Sequence, residues 1–258
     1  MTATLERPST VRHAPVVTLD GVHKTFGTGP SAVTALRDID LSVAPGEFVC
    51  LLGASGCGKS TLLNLVAGLD EPTSGSVAVR TGRPSVMFQE AALLPWLTSG
   101  RNVELPLRLA GVGRRERRER AAELLDLVRL SGLADKRPHE LSGGMRQRVA
   151  LARSLAAATS TTTDEAGLLL MDEPFAALDA ITRDVLQSEL LRVWRATGIT
   201  VLFVTHDVRE AVRLAQRVVL LSSRPGTVVR EWTVGDDRDD LHDEITGRLR
   251  EVITSHAA

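Results

Sequence analysis

Cysteine is almost missing from this chain: Cys50 and Cys57 are the only two in 258 residues. Two thiols so near each other make no disulfide framework, which excludes a small stapled secreted scaffold and predicts a reducing, cytoplasmic setting. Long apolar runs are missing too. The runs present are short segments such as FVCLL, LLLM and VLFV, far below the roughly 18 residues that a membrane span needs. The N-terminal stretch MTATLERPSTVRHAP has no apolar h-region, so no secretory signal is expected. A dominant charge of one sign is missing as well: 31 Lys and Arg against 32 Asp and Glu give a formal net charge of −1. No strong field directs the chain to nucleic acid or to an anionic membrane as its main partner. What is there is an ordinary globular mixture, 43% apolar and 24% charged, with ample length to bury a core.

Residues 1–15 are polar, carry Pro8 and Pro15, and read as a disordered lead-in. The segments VVTLDGVHKTFG and VTALRDIDLSVAPGEFVCLLG alternate apolar and polar residues. They predict antiparallel strands that feed one buried strand at 48–52. KSTLLNLVAGL follows with helical spacing, and GSVAV and PSVMFQ read as short strands. From about 91 to 155 arginines and leucines replace β-branched residues, and Ala121, Leu124, Leu125 and Val128 share one helix face. This stretch reads as a helical subdomain within one domain spanning 16–230. Three more buried strands are expected at 168–172, 201–206 and 218–223, with helices between them. Nearly all-apolar strands alternating with helices predict an α/β fold with a mostly parallel sheet covered on both faces. ATSTTTDEAG, 158–167, reads as a polar loop. In the tail, 231–258, Leu241, Ile245 and Leu249 recur every four residues, which predicts an amphipathic helix packing back on the domain.

The stretch with the most specific chemistry is GASGCGKS: Gly53, Ala54, Ser55, Gly56, Cys57, Gly58, Lys59 and Ser60. It fits G-x-x-x-x-G-K-[ST], follows an apolar strand and opens a helix. A phosphate chain needs several N–H donors converging from one side, and glycines let the backbone approach. The helix start adds unpaired N–H groups and the positive end of its dipole. Lys59 supplies a charge for the β- and γ-phosphates, the Ser60 hydroxyl a Mg²⁺ ligand, and Thr61 support for the α-phosphate. The apolar strand LLLMD ends in Asp172, a second candidate metal ligand. Glu173 follows, placed to take a proton from a water attacking the γ-phosphorus. Two adjacent carboxylates need a cation to neutralise one of them. Cys57 sits near a helix N-terminus, which favours thiolate; the alternative is a small buried cysteine.

LSGGMRQR, 141–148, narrows the class. It resembles the signature motif of ATP-binding cassette (ABC) proteins, and the order of motifs over roughly 16–230 resembles that family too: a P-loop NTPase core, an antiparallel β subdomain and a helical signature subdomain. The resemblance implies ATP and Mg²⁺ as cofactors. It implies that Ser142, Gly143 and Gly144 face the ATP held by a second cassette in a head-to-tail dimer, expected to be a homodimer. Gln89 matches the Q-loop, touching Mg²⁺ and the attacking water. Asp179 in FAALD matches the D-loop, His206 the switch histidine that contacts the γ-phosphate. Phe26 matches the aromatic that stacks on adenine; a core phenylalanine is the other reading. FQEAALLPWLT, LLLMDEPFAALDAITR and LLSSRPGTVVREW resemble the nitrate/sulfonate/taurine importer group. That implies a separate transmembrane permease, a solute-binding protein acting indirectly, and a peripheral place on the cytoplasmic face of the membrane. Leu94, Trp96 and Leu97 would help line the groove for the permease; subdomain core is the other reading of each. GRRERRER, 113–120, reads as a solvated helix turn rather than a nucleic-acid site. Open alternatives are a soluble ABC ATPase of DNA repair or translation, an exporter cassette, and a P-loop kinase. The pattern departs from the group in three places: a short stretch before Gln89, the 158–167 tract, and no acidic residue ahead of Asn102 in SGRNV.

Overall fold

The computed structural model describes residues 14–160 and 167–254, so the lead-in up to residue 13 and most of the 158–167 tract lie outside the described residues. In chain order, β1 (Val17–Phe26) and β2 (Val33–Val43) pair antiparallel, and then the chain enters β3 (Phe48–Leu52), buried at every position. α1 (Lys59–Val66) follows through the glycine loop, then β4 (Ser74–Val79) and β5 (Ser85–Met87). The helical region contains α2 (Ser99–Leu109), α3 (Arg114–Leu127) and α4 (Gly143–Ala158). The remainder alternates: β6 (Leu168–Asp172), α5 (Ala180–Thr197), β7 (Thr200–Thr205), α6 (Val208–Leu214), β8 (Arg217–Leu221), β9 (Val228–Thr233) and α7 (Arg238–Thr254).

Two sheets result. The six-stranded one runs β5-β6-β7-β3-β8-β9, with β9 antiparallel at its edge and every other pairing parallel. The three-stranded one runs β2-β1-β4 and is antiparallel. Side chains alternate across a strand, and β3 shows what this does. Phe48, Cys50 and Leu52 enter the core shared with the helical region and α5–α7, whereas Val49 and Leu51 enter the core shared with α1 and the antiparallel sheet. Parallel strands with both faces covered must be apolar throughout, which is why FVCLL, LLLM and VLFV carry no alternation. Parallel pairing also sets β3, β6 and β7 side by side with their carboxyl ends on one edge. The loops that follow these three strands hold the site.

The structure differs from the expected elements in a few places. β7 ends at Thr205, so His206 stands just past the strand, and β8 spans 217–221 rather than 218–223. β9 was not expected; it is an edge strand with Arg230 and Glu231 outward and only Trp232 buried. α7 packs on α6, with Ile245 and Val252 buried and Gly247 inside the helix. No helix among the described residues is long and apolar enough to cross a membrane.

Candidate functional site

The glycine loop leaves β3 and curls round a lysine. A Cβ on Gly53 would lie 2.7 Å from the Cys57 Sγ. Gly58, at φ +101°, would drive one into Leu36 and the Ala35 carbonyl at 2.7 and 2.9 Å. Side chains are excluded at both positions, so the backbone itself forms the surface. No side chain caps the start of α1, which leaves its first N–H groups directed at the space above. Lys59 is only 5% exposed. Its Nζ donates to the Gly53 and Ala54 carbonyls at 2.7 and 2.9 Å, which places the ammonium inside the loop. A cavity of about 320 Å³ opens here, with Phe26, Gly56, Ser60, Thr61, Gln89 and Glu173 among its walls. Ser55 also lines it.

Asp172 ends β6 at 9% exposure and accepts a hydrogen bond from the Ser60 hydroxyl. Burial pushes its carboxyl pKa up; the Ser60 bond opposes this. A buried carboxylate and a hydroxyl are hard oxygen donors, which suits a magnesium ion. Among the described residues no group of three or more His, Cys, Asp or Glu could hold a metal by itself. The Glu173 carboxylate faces the cavity, and its Oε1 lies 3.2 Å from the His206 Nδ1. Its backbone has φ +44°, uncommon for a residue with a side chain, and its N–H bonds to the Val204 carbonyl at 3.1 Å. Pairing of β6 with β7 thus sets the carboxylate and the imidazole together.

Phe26 is 46% exposed at the cavity wall, so the core reading of this ring does not hold. The Lys24 Nζ sits 5.0 Å from its centroid. The thiolate reading of Cys57 is also overturned. The thiol is 1% exposed. Burial pushes its pKa up, against the lowering pull of Lys59. Ser142 caps α4 by accepting from the Met145 N–H at 3.3 Å, and Gly144 stands where a Cβ would come 3.3 Å from Leu178. Asp179 caps α5 through the Thr182 N–H at 2.9 Å; its hydrogen bonds to Thr182 hold its carboxyl below the usual range. The structure therefore gathers Phe26, the glycine loop, Gln89, Asp172, Glu173 and His206. Ser142, Gly143, Gly144 and Asp179 do not line that cavity.

Several residues at the site escaped the sequence reading. Gln147 is buried in α4 and donates to the Gln89 carbonyl at 3.1 Å, tying α4 to the segment after β5. Arg153 holds the carbonyls of Ala91 and Ala92 at 3.1 and 2.8 Å, bracing Ala92 at φ +42°. Asn102, fully buried, bonds Leu94, Leu97 and Thr98 and so shapes the LLPWLT loop. A polar residue on the buried face of a helix was the available signal: Gln147 precedes Leu151 by one turn. Leu94 and Leu97 are half-buried and Trp96 is 67% exposed. Leu94 opens onto an apolar groove with Leu105, Pro106 and Leu109. In α3 the arginines pair with glutamates, Arg115 with Glu119, Arg120 with Glu116 and Arg117 with Glu104.

Comparison with known proteins supplies the context. A family model described as ABC transporter matches residues 36–176. The chain is 49% identical over 231 residues to the taurine import ATP-binding protein TauB of Burkholderia pseudomallei, covering 86% of each chain. It is 46% identical over 226 residues to the nitrate import ATP-binding protein NrtD of Synechocystis sp., covering 85% of this chain and 82% of the relative. Two solved structures match at 35% identity over 85% of this chain and 99% of theirs. One is a dimeric post-hydrolysis state of the ATP-binding cassette MJ0796 bound to ADP and Pi, at a TM-score of 0.74. The other, described as a dimeric bacterial ABC transporter cassette, scores 0.75.

Proposed function

Since the chain belongs to the ABC transporter family, whose cassettes couple ATP hydrolysis to transport, we propose that it drives a membrane importer, with taurine, another aliphatic sulfonate or nitrate as the solute. The relatives that suggest the solute are import subunits, which leaves the DNA-repair, translation, exporter and kinase readings without support. Two cassettes would work beneath a separate permease at the cytoplasmic face of the membrane, with a solute-binding protein acting on the far side.

The observation that carries the reading is the Glu173–His206 contact at 3.2 Å, beside a cavity whose floor holds the ammonium of Lys59. Phosphoryl transfer to water needs in-line positioning and charge neutralisation more than covalent help. Loop N–H groups and Lys59 hold the phosphates, and Phe26 offers an open ring to the base. Glu173 accepts the proton of the attacking water, and His206 fixes the direction of that carboxylate. Gln89 reports the nucleotide to the helical subdomain through Gln147. Ser60, Asp172 and Gln89 would hold Mg²⁺, which supplies positive charge to the β- and γ-phosphate oxygens. Ser142, Gly143, Gly144 and Asp179 act on the partner's nucleotide.

Reconstitution in vesicles with a permease that co-purifies with it and that permease's solute-binding protein tests this. Taurine, a sulfonate or nitrate should raise ATP hydrolysis several-fold. Hydrolysis indifferent to all three solutes would contradict the assignment.

A further inference from the structure

The cavity has a cation that none of the motifs explains. A nucleoside triphosphate brings about four negative charges. Lys59 answers one of them from inside the loop. Lys24 does not line the cavity; its Nζ holds the Asp70 carboxylate at 2.6 Å and the Glu71 carbonyl at 2.7 Å. The other basic side chain lining the cavity is Arg224. It stands on the loop between β8 and β9, and its Nη2 would be 3.9 Å from a Cβ placed on Gly56, at the exposed crown of the glycine loop.

That position is built into the fold. Ser222 closes the turn: its Oγ donates to the Pro225 carbonyl at 2.8 Å and accepts from the Thr227 N–H at 2.8 Å. The Gly226 N–H donates to the Ala35 carbonyl at 2.8 Å, and the Arg37 N–H to the Gly226 carbonyl at 2.9 Å. A Cβ on Gly226 would overlap the Cys57 carbonyl oxygen. The turn is thus pressed against the back of the glycine loop, and SSRPG delivers its arginine to the front.

Resting on the nucleotide reading above, we infer that Arg224 is a further binding residue that contacts the phosphate chain of ATP. A planar guanidinium offers paired N–H donors to phosphate oxygens, where Lys59 offers a point charge. The arginine reaches the crown from the β8 side, opposite the edge that carries Asp172 and Glu173. The phosphates are then held between the two sides of the loop.

Equilibrium binding of ATP in EDTA, at low and high ionic strength, tests this on wild type, Arg224→Ala and Arg224→Lys. Arg224→Ala should bind about tenfold more weakly at low salt, with the gap closing at high salt because the lost contact is ionic. Arg224→Lys should keep the wild-type salt dependence and recover part of the affinity. Wild-type affinity in the alanine variant would overturn the inference and leave the nucleotide reading standing. So would a loss independent of salt, which marks a contact with the base or a change in packing. A wild-type chain that binds no ATP would overturn both.

Discussion

α1 and α4 both begin at glycines, and their beginnings differ. α1 starts uncapped, with Lys59 buried in the loop before it and a cavity above. α4 starts with Ser142 and Gly143 exposed, and the serine itself satisfies the Met145 N–H. Both ends present partial positive charge. Only α1 has a cation, a carboxylate pair and walls. The first is a site in itself; the second is a lid without a vessel. On the proposed function, a chain that carries the second part outside the cavity completes its catalytic site by meeting a second cassette.

Substitutions can break or sharpen that contrast. The largest effect is expected at α1. Lys59→Ala should lower ATP hydrolysis on the order of a thousandfold and weaken ATP binding by the single chain, read by steady-state assay and equilibrium binding. Next comes Glu173→Gln, which should cut hydrolysis by about a hundredfold or more while ATP binding persists and the dimer is trapped; unchanged turnover would remove Glu173 from its role. At α4, Ser142→Ala should reduce hydrolysis by about tenfold, allowing for a lost cap, yet leave ATP affinity of the dilute single chain as it was. An equal loss of that affinity would erase the distinction between the two helix starts.

The smallest expected effect lies beneath His206. There Glu210 is buried, accepting from Thr205 Oγ1 at 2.7 Å and Gln187 Nε2 at 3.1 Å. Burial pushes its carboxyl pKa up, against the Thr205 bond. A raised acid pKa in the folded state means stability that is fully present below the unfolded value, about 4.3, and lost as pH rises through the folded value. Relative to Glu210→Gln, the wild type should therefore lose about 2–4 °C of melting temperature between pH 5 and pH 8. Parallel pH profiles for the two proteins would contradict this.

Much of the fold was legible because burial on both faces leaves strands uniformly apolar: FVCLL and LLLMD were placed to the residue. The glycine loop was legible for a steric reason, since Gly53 and Gly58 admit no side chain. β9 was not, because an edge strand with Arg230 and Glu231 facing out shows little apolar pattern. Arg224 was quoted within SSRPG but had no assigned chemistry, because its place at the crown comes from a turn that meets β2 and the glycine loop across the fold. Cys57 was left open between thiolate and small buried cysteine, because helix-terminus electrostatics pointed one way and burial the other; burial prevails in a pocket closed by Gly53 and Lys59. Gln147 and Asn102 hold loops by buried hydrogen bonds, which spacing alone does not reveal.

The incompleteness of the single chain is tested most directly by its mass in solution. Light scattering on Glu173→Gln should read 27.8 kDa without nucleotide and twice that with ATP. A mass unchanged by ATP, together with wild-type hydrolysis per molecule that does not vary with protein concentration, would contradict the account.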